Sequence, residues 1–348
     1  MEKKKGRKRS RAGVVLLVAG LVLLIAAPVW RFAIAPLFIR LPEDLENRST
    51  YEGHFKVFAD PQTSRFYPEG QEVTTRIRIR NEDLPVPGKC DSEVLVLSER
   101  VEITDMDTGK VLEGLHGETT HVLDRRTCEN VPGVVEGVDR TGYTVTFPLG
   151  SRKKGYPMWD DDLDRSVSCE FVRADTFDGI EHKDIPVYVY HLGGKMEKMA
   201  HPPPGLPESV TGKQVKELAG RDLPISDQAE IALEYYKKND VTFYVEPETG
   251  SIVYVPKNHY EYHVKNAPGA TPEYLKLAEV EYGRTLEAAR EGADKTVKYV
   301  RLIDLDRRGI PLGFLLLGAA FALTGLILML RARIGGSGIS GAPGNIQA

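Results

Sequence analysis

Residues 72–80 read EVTTRIRIR. In an extended chain successive side chains point to opposite faces, so Val73, Thr75, Ile77 and Ile79 share one side and Thr74, Arg76, Arg78 and Arg80 the other. One dry face and one wet face predict a strand of an antiparallel sheet. Similar short runs recur at Tyr51–Phe58, Glu93–Thr104, Tyr143–Phe147, Val167–Val172, Ile185–His191, Val241–Val245, Ser251–Val255 and Tyr260–Val264. Between them Asp107-Thr108-Gly109, Arg140-Thr141-Gly142 and Glu248-Thr249-Gly250 supply residues that favour tight reversals. The pattern predicts a mainly β domain, an antiparallel sandwich or a barrel-like sheet, with a few helices.

Two stretches read as those helices. Asp227–Asn239 (DQAEIALEYYKKN) has Ile231, Leu233 and Tyr235-Tyr236 at helical spacing, an early acid and late lysines. Thr271–Asp304 opens on Thr-Pro and carries an apolar stripe of Leu275, Ala278, Tyr282, Leu286 and Ala289. Residues 201–207, with four prolines, read as a stiff linker and a possible sub-boundary.

Outside this domain the composition changes. The chain as a whole has mean hydropathy -0.28 and 28% charged residues, yet residues 12–30 (AGVVLLVAGLVLLIAAPVW) and 309–330 (GIPLGFLLLGAAFALTGLILML) contain no charge. Each is long enough to cross a hydrocarbon core of about 30 Å as a helix. Lys3, Lys4, Lys5, Arg7, Lys8, Arg9 and Arg11 precede the first span, and Arg331 and Arg333 follow the second. Basic residues beside a span stay in the cytoplasm, so both termini are expected inside and the β domain outside the cytoplasmic membrane. Pro28 after Ala26-Ala27 and the apolar stretch Phe32–Ile39 favour an uncleaved anchor over a signal peptide. The expected order is a basic tail (1–11), a first span (12–34), the extracytoplasmic domain (35–308), a second span (309–330) and a flexible tail (331–348).

Charge narrows the partners. Residues 1–31 carry +7 and residues 311–348 carry +2, so the overall -4 leaves -13 for residues 32–310. An acidic domain argues against nucleic acid, which needs a basic footprint. Three cysteines (Cys90, Cys128, Cys169) lie in a compartment where disulfides persist. Sequence cannot choose among the pairings; Cys90 with Cys128 is preferred.

Motifs for chemistry are sparse. Asp160, Asp161, Asp162 and Asp164 offer oxygen ligands to a hard cation, but the alternate acids, turn glycine and late glutamate of an EF loop are absent, so the run reads as an exposed turn. Asp105 and Asp107 read the same way. His259 and His263, two strand steps apart, would stand about 13 Å from one another and cannot share one ion. There is no nucleophile elbow, HExxH or phosphate loop, and no catalytic residue is assigned. Asn47-Arg48-Ser49 is a glycosylation sequon. The aromatic residues on the strands read as a core and its rim.

Several stretches occur in a telling order: the basic start and first span, Leu41-Pro42, TDMDTGKVL at 104–112, DRRTCE at 124–129, FPLGSRKKGYPMWD at 147–160, DGIE with the IPVYVYH strand, TFYVEPETGSIVYV at 242–255, and the last span. Over nearly its whole length the sequence resembles the PorA porin family, actinobacterial two-span envelope proteins. The most specific positions are Phe147, Pro148, Tyr156, Trp159 and Asp160, with Tyr244, Val245, Pro247, Thr249 and Gly250. The three cysteines and the Gly/Ser-rich tail Gly335–Ala348 depart from that pattern. A looser similarity of layout is to CD36-type scavenger receptors, which conduct lipid through a tunnel in a β-rich ectodomain. A porin barrel needs lipid-facing strands of about ten residues with aromatic girdles, and these strands are shorter and punctuated by charge.

The leading expectation is therefore a non-enzymatic protein that binds, carries or scaffolds a lipid or lipid-linked glycan during envelope assembly, without cofactor, with membrane lipids and other envelope proteins as partners. The alternative is an oligomeric porin-like channel, whose spans pack through Gly20, Gly318, Ala319, Ala320 and Gly325. A second alternative is an extracytoplasmic enzyme.

Overall fold

The computed structural model describes residues 2–58, 67, 70–112, 115, 117–178, 184–203, 206–219, 224–266 and 272–334, with the backbone alone at 2–10 and 217–219. The chain opens with α1 (Glu2–Val29), a wider π-helical turn (Trp30–Ile34) and α2 (Ala35–Phe38). Seven strands follow: β1 (Asn47–Val57), β2 (Val73–Pro85), β3 (Val94–Asp105), β4 (Gly117–Asp124), β5 (Tyr156–Asp160), β6 (Arg165–Phe177) and β7 (Ile185–Lys198). Then come β8 (Ser209–Thr211), α3 (Gly212–Ala219), β9 (Glu230–Ala232), β10 (Tyr235–Val245), β11 (Ile252–Lys265) and β12 (Tyr274–Arg284). The chain closes with α4 (Leu286–Asp304), a second π turn (Leu305–Gly309) and α5 (Ile310–Ile334).

These elements form two units, Met1–Ile39 with Val300–Ala348, and Arg40–Tyr299. In the first, α1 and α5 pair antiparallel along their glycines. A Cβ on Gly20 would lie 2.5 Å from Ala322 N and 2.6 Å from Gly318 O, and one on Gly325 2.5 Å from Leu17 N and 2.6 Å from Gly13 O. Only hydrogen at these positions lets the backbones touch, the device that holds helices together in lipid. Gly20, Gly318 and Gly325 pack the two helices of one chain together, while Ala319 and Ala320 face outward. Trp30 Nε1 donates to the carbonyl and to Oδ1 of Asp306, both at 3.2 Å, and its ring meets Phe314 edge-on. The first π turn begins two residues after Pro28, which removes one helical hydrogen bond. Apolar side chains such as Val15, Ile25, Leu316 and Leu323 stand exposed, as lipid-facing residues do. Two helices flanking the β domain in sequence are thus apolar enough to span a membrane.

The second unit is built on one ten-stranded antiparallel sheet in the order β4-β3-β2-β1-β12-β11-β10-β7-β6-β5. Its edges are joined by the segment between β4 and β5. Val131 N donates to Val122 O on β4, Tyr143 N to Pro157 O on β5, and Asn130 N to Gly142 O between them, at 2.7–2.9 Å. Leu95, Leu97 and Leu123 from one end of the strand order pack in the same cluster as Tyr156, Met158, Cys169 and Tyr190 from the other. The sheet is therefore barrel-like, with a filled interior. As its alternation predicts, Ile77 and Ile79 point inward and are buried, whereas Arg76, Arg78 and Arg80 pair with Asp107, Glu52 and Glu102 outside.

Several expectations are corrected here. Asp227–Asn239 is not a helix but β9 and the start of β10, and Thr271–Asp304 is β12 followed by α4. Ser251–Val255 and Tyr260–Val264 belong to one long strand, β11, and Tyr143–Phe147 is loop apart from a bridge between Tyr143 and Met158. Beyond the prolines at 202 and 203, Leu206 packs against a core cluster with Met199 and Tyr235. The Cys90–Cys128 disulfide is absent, and all three thiols are free. Cys90 Sγ contacts the carbonyls of Val86 and Val96, while burial pushes the Cys128 thiol up to about 12. The Gly335–Ala348 tail lies outside the described residues.

Candidate functional site

The loop after Tyr143 and the β10–β11 turn carry the distinctive motif residues, and they meet. Phe147 N donates to Gly250 O at 3.0 Å, and Gly150 N to Glu248 O at 3.1 Å. Gly250 has φ 70, and a Cβ there would lie 2.1 Å from Phe147 O, so the contact requires glycine twice over. Glu246 closes the turn from below: its carboxylate accepts from Thr249 N, Thr249 Oγ1 and Glu248 N, which fixes the chain around Pro247. The docked loop presents Phe147 to Tyr190, stacked at 4.6 Å, with Tyr156 and Phe243 edge-on. Tyr156 and Tyr190 are tied back to Arg152 by their hydroxyls, at 2.7 Å each. These residues add a cluster of aromatic rings to the barrel's filled interior.

Deeper in lies a buried ion centre. Lys237 on β10 faces inward, and its Nζ is 3.1 Å from both Asp160 oxygens and 2.6 Å from Asp162 Oδ2. Asn239 donates to Asp160 at 2.6 Å, Tyr262 donates to Asp162 at 3.2 Å, and the ammonium lies 4.7 Å over the Tyr260 ring. Burial alone would push the Lys237 ammonium down; Tyr262, Asp162 and Asp160 outweigh it and hold it above the ordinary lysine value. A buried cation held by two carboxylates is costly to form and costlier to break.

A second polar chain runs from the surface to β1. Asp161 pairs with Arg140 at 2.7 Å. Arg140 donates to His121 Nδ1 at 2.8 Å, which leaves His121 Nε2 as the donor to Glu99, also 2.8 Å away. Asn81 donates to the other Glu99 oxygen, and on the same strand Asp83 accepts from Asn47 at 2.9 Å. Burial and the Glu99 charge raise Asp83 to about 6; burial also pushes Glu99 up, but His121, Asn81 and Arg140 together outweigh it and hold Glu99 below its ordinary value. Asp83 can thus hold a proton at mildly acidic pH. The surface end opens into a polar groove lined by Glu118, Thr120, Asp139, Arg140, Trp159 and Asp161.

The acidic run does not converge on one point. Asp160 and Asp162 serve Lys237, Asp161 serves Arg140 and Trp159, and Asp164 borders the groove in a left-handed conformation. Asp105 closes its own turn through Thr108 and the Asp107 amide, and the sequon amide of Asn47 is engaged with Asp83. His259 and His263 share the outer face of β11, separated by Glu261. The sequence reading missed Lys237, His121, Glu99 and Asp83, because a charged residue on an alternating strand signals the wet face by default. Among the described residues the two best-formed hollows are polar and open, and neither is a tunnel for an acyl chain.

A family model described as Porin PorA matches residues 12–327. Over 190 residues the chain is 29% identical to a curated protein named Porin PorA from Corynebacterium amycolatum, covering 49% of this chain and 44% of that one. The chain spans less than half the length of that relative.

Proposed function

This chain belongs to the PorA porin family, and from that membership we propose that it is a non-enzymatic cell-envelope protein that forms a channel as an oligomer. The observation that carries the reading is the match over 12–327, which takes in the span-forming helices and the filled barrel together. The packing constrains how such a channel is built. The barrel interior is filled by Phe147, Tyr156 and Tyr190 and by the Lys237 centre. Its outer face carries Arg78, Glu52 and Glu279, which a lipid-facing strand does not tolerate. A water path therefore runs between copies, and the second copy is another chain of this kind. The basic residues at the outer ends of α1 and α5 support a placement with both termini in the cytoplasm. Among the described residues the hollows over Glu279 and beside Arg140 are polar, which lends no support to carriage of a lipid or lipid-linked glycan. The test is reconstitution of the full-length protein into planar bilayers, alongside its mass in detergent by native mass spectrometry. Stepwise conductance from an oligomer supports the reading; flat recordings from a protein that is folded and inserted overturn it.

A further inference from the structure

The outer face of the barrel carries two charged rows that cross three neighbouring strands. In one, His54 on β1, Glu281 on β12 and His259 on β11 stand opposite one another; in the next, Lys56, Glu279 and Glu261 do the same. The second row is electrically closed. Lys276 donates to Glu261 at 2.7 Å and to Glu279 Oε2 at 3.1 Å, and Lys56 lies 3.7 Å from Glu279 Oε1. The first row is not. His259 Nε2 is shut off from solvent and makes no hydrogen bond, although Glu279 Oε1 is 3.4 Å away. His121 gives the contrast within the same molecule, since both of its nitrogens are partnered.

We propose that His259, Glu279 and Glu281 form a binding site for a divalent transition-metal ion of the zinc class. One ligand atom from each of the three lies within 4.8 Å of the other two. Two donors at about 2.1 Å from a tetrahedral ion stand about 3.4 Å apart, which is the His259 Nε2 to Glu279 Oε1 distance. Lys276 occupies Glu279 Oε2 and so directs Oε1 toward the histidine, the orienting role that outer partners play at metal sites. A neutral imidazole with two carboxylates suits zinc better than calcium or magnesium, which favour all-oxygen shells. The open hollow over Glu279 and Glu281 is bordered by His54, which could supply a fourth nitrogen, and by Lys56, which the ion must displace from Glu279 Oε1.

The experiment is calorimetric titration of chelator-stripped full-length protein in detergent with zinc chloride. One equivalent is expected to bind, at least tenfold more weakly to His259→Gln and to Glu281→Gln, and unchanged to His191→Gln, a histidine outside the cluster. Thermal melts without metal check that each variant is folded, and His54→Gln is expected to weaken binding only a few-fold. Zinc bound equally well by folded His259→Gln, or less than one equivalent bound by the parent protein, overturns the proposal.

Discussion

The helix pair and the barrel interior are both held by close packing, but they dispose of polarity in opposite ways. Between α1 and α5 the contact is glycine against backbone, and beside it Trp30 donates to Asp306 from one π turn to the other. Inside the barrel, ionised side chains are buried outright and each is answered by a partner, as Lys237 is by Asp160 and Asp162. In lipid nothing rewards an ion, so shape alone does the joining. In the barrel, a buried ion is tolerated where an opposite charge stands beside it.

The hardest way to break the contrast is to leave one set incomplete. Lys237→Met strands Asp160 and Asp162 in the interior, and unfolding by denaturant should show a loss of about 3–5 kcal/mol. Adding Asp160→Asn is expected to restore part of that loss, because the two changes touch one network. A Lys237→Met variant as stable as the parent would mean that water reaches the centre.

The same centre shows how far sequence reading reaches. Ile77 and Ile79 were legible because their apolar alternation reads as a strand with one buried face, and the two apolar helices because nineteen uncharged residues in a row are long enough to cross a membrane. Lys237 was illegible because Tyr235, Lys237 and Asn239 alternate inward while being polar, and Ile231-Leu233-Tyr235 mimics a helical stripe. In β12 the Leu, Ala, Glu and Lys residues favour a helix by propensity, and pairing on both sides overrides that preference. The His259 cluster was invisible for another reason: its ligands sit on two strands whose register no local pattern reveals.

Acid sharpens the contrast without a mutation of the ion pair. Asp83 sits at about 6 in the folded chain against 3.8 unfolded. The folded state therefore binds the extra proton between these values, and the stabilisation is complete below 3.8 and lost as pH rises through 6. The difference amounts to about 3 kcal/mol. Glu99, held low, works in the opposite sense, so the measured slope is the balance of the two. Asp83→Asn should raise stability at neutral pH and flatten the melting temperature between pH 4 and pH 6.5; an unchanged profile would place the titration elsewhere.

On the helix side the corresponding break is steric. Gly20→Leu must push α5 away from α1 at Ala322 and Gly318, since backbone atoms and not flexible side-chain ends stand in the way. Overpacking of this kind costs about 1–3 kcal/mol. Thermal melts in detergent should fall for Gly20→Leu and stay level for Ala319→Leu, whose site faces outward. Equal losses from both would mean that the Ala319 face is also occupied, as an oligomer through that face requires.

The smallest effect tests whether the barrel's outside obeys the rule of its inside. Arg78 forms two hydrogen bonds to Glu52, at 3.0 and 2.8 Å, a geometry as good as that of the buried centre. Both side chains are about two-fifths exposed, at 42% and 41%, so water answers either charge when the other is removed. Arg78→Ala is therefore expected to cost less than about 1 kcal/mol, and raising the salt concentration should shrink even that. A loss near that of Lys237→Met would show that something covers this face of the sheet in the folded protein, because geometry alone cannot make an exposed pair so valuable.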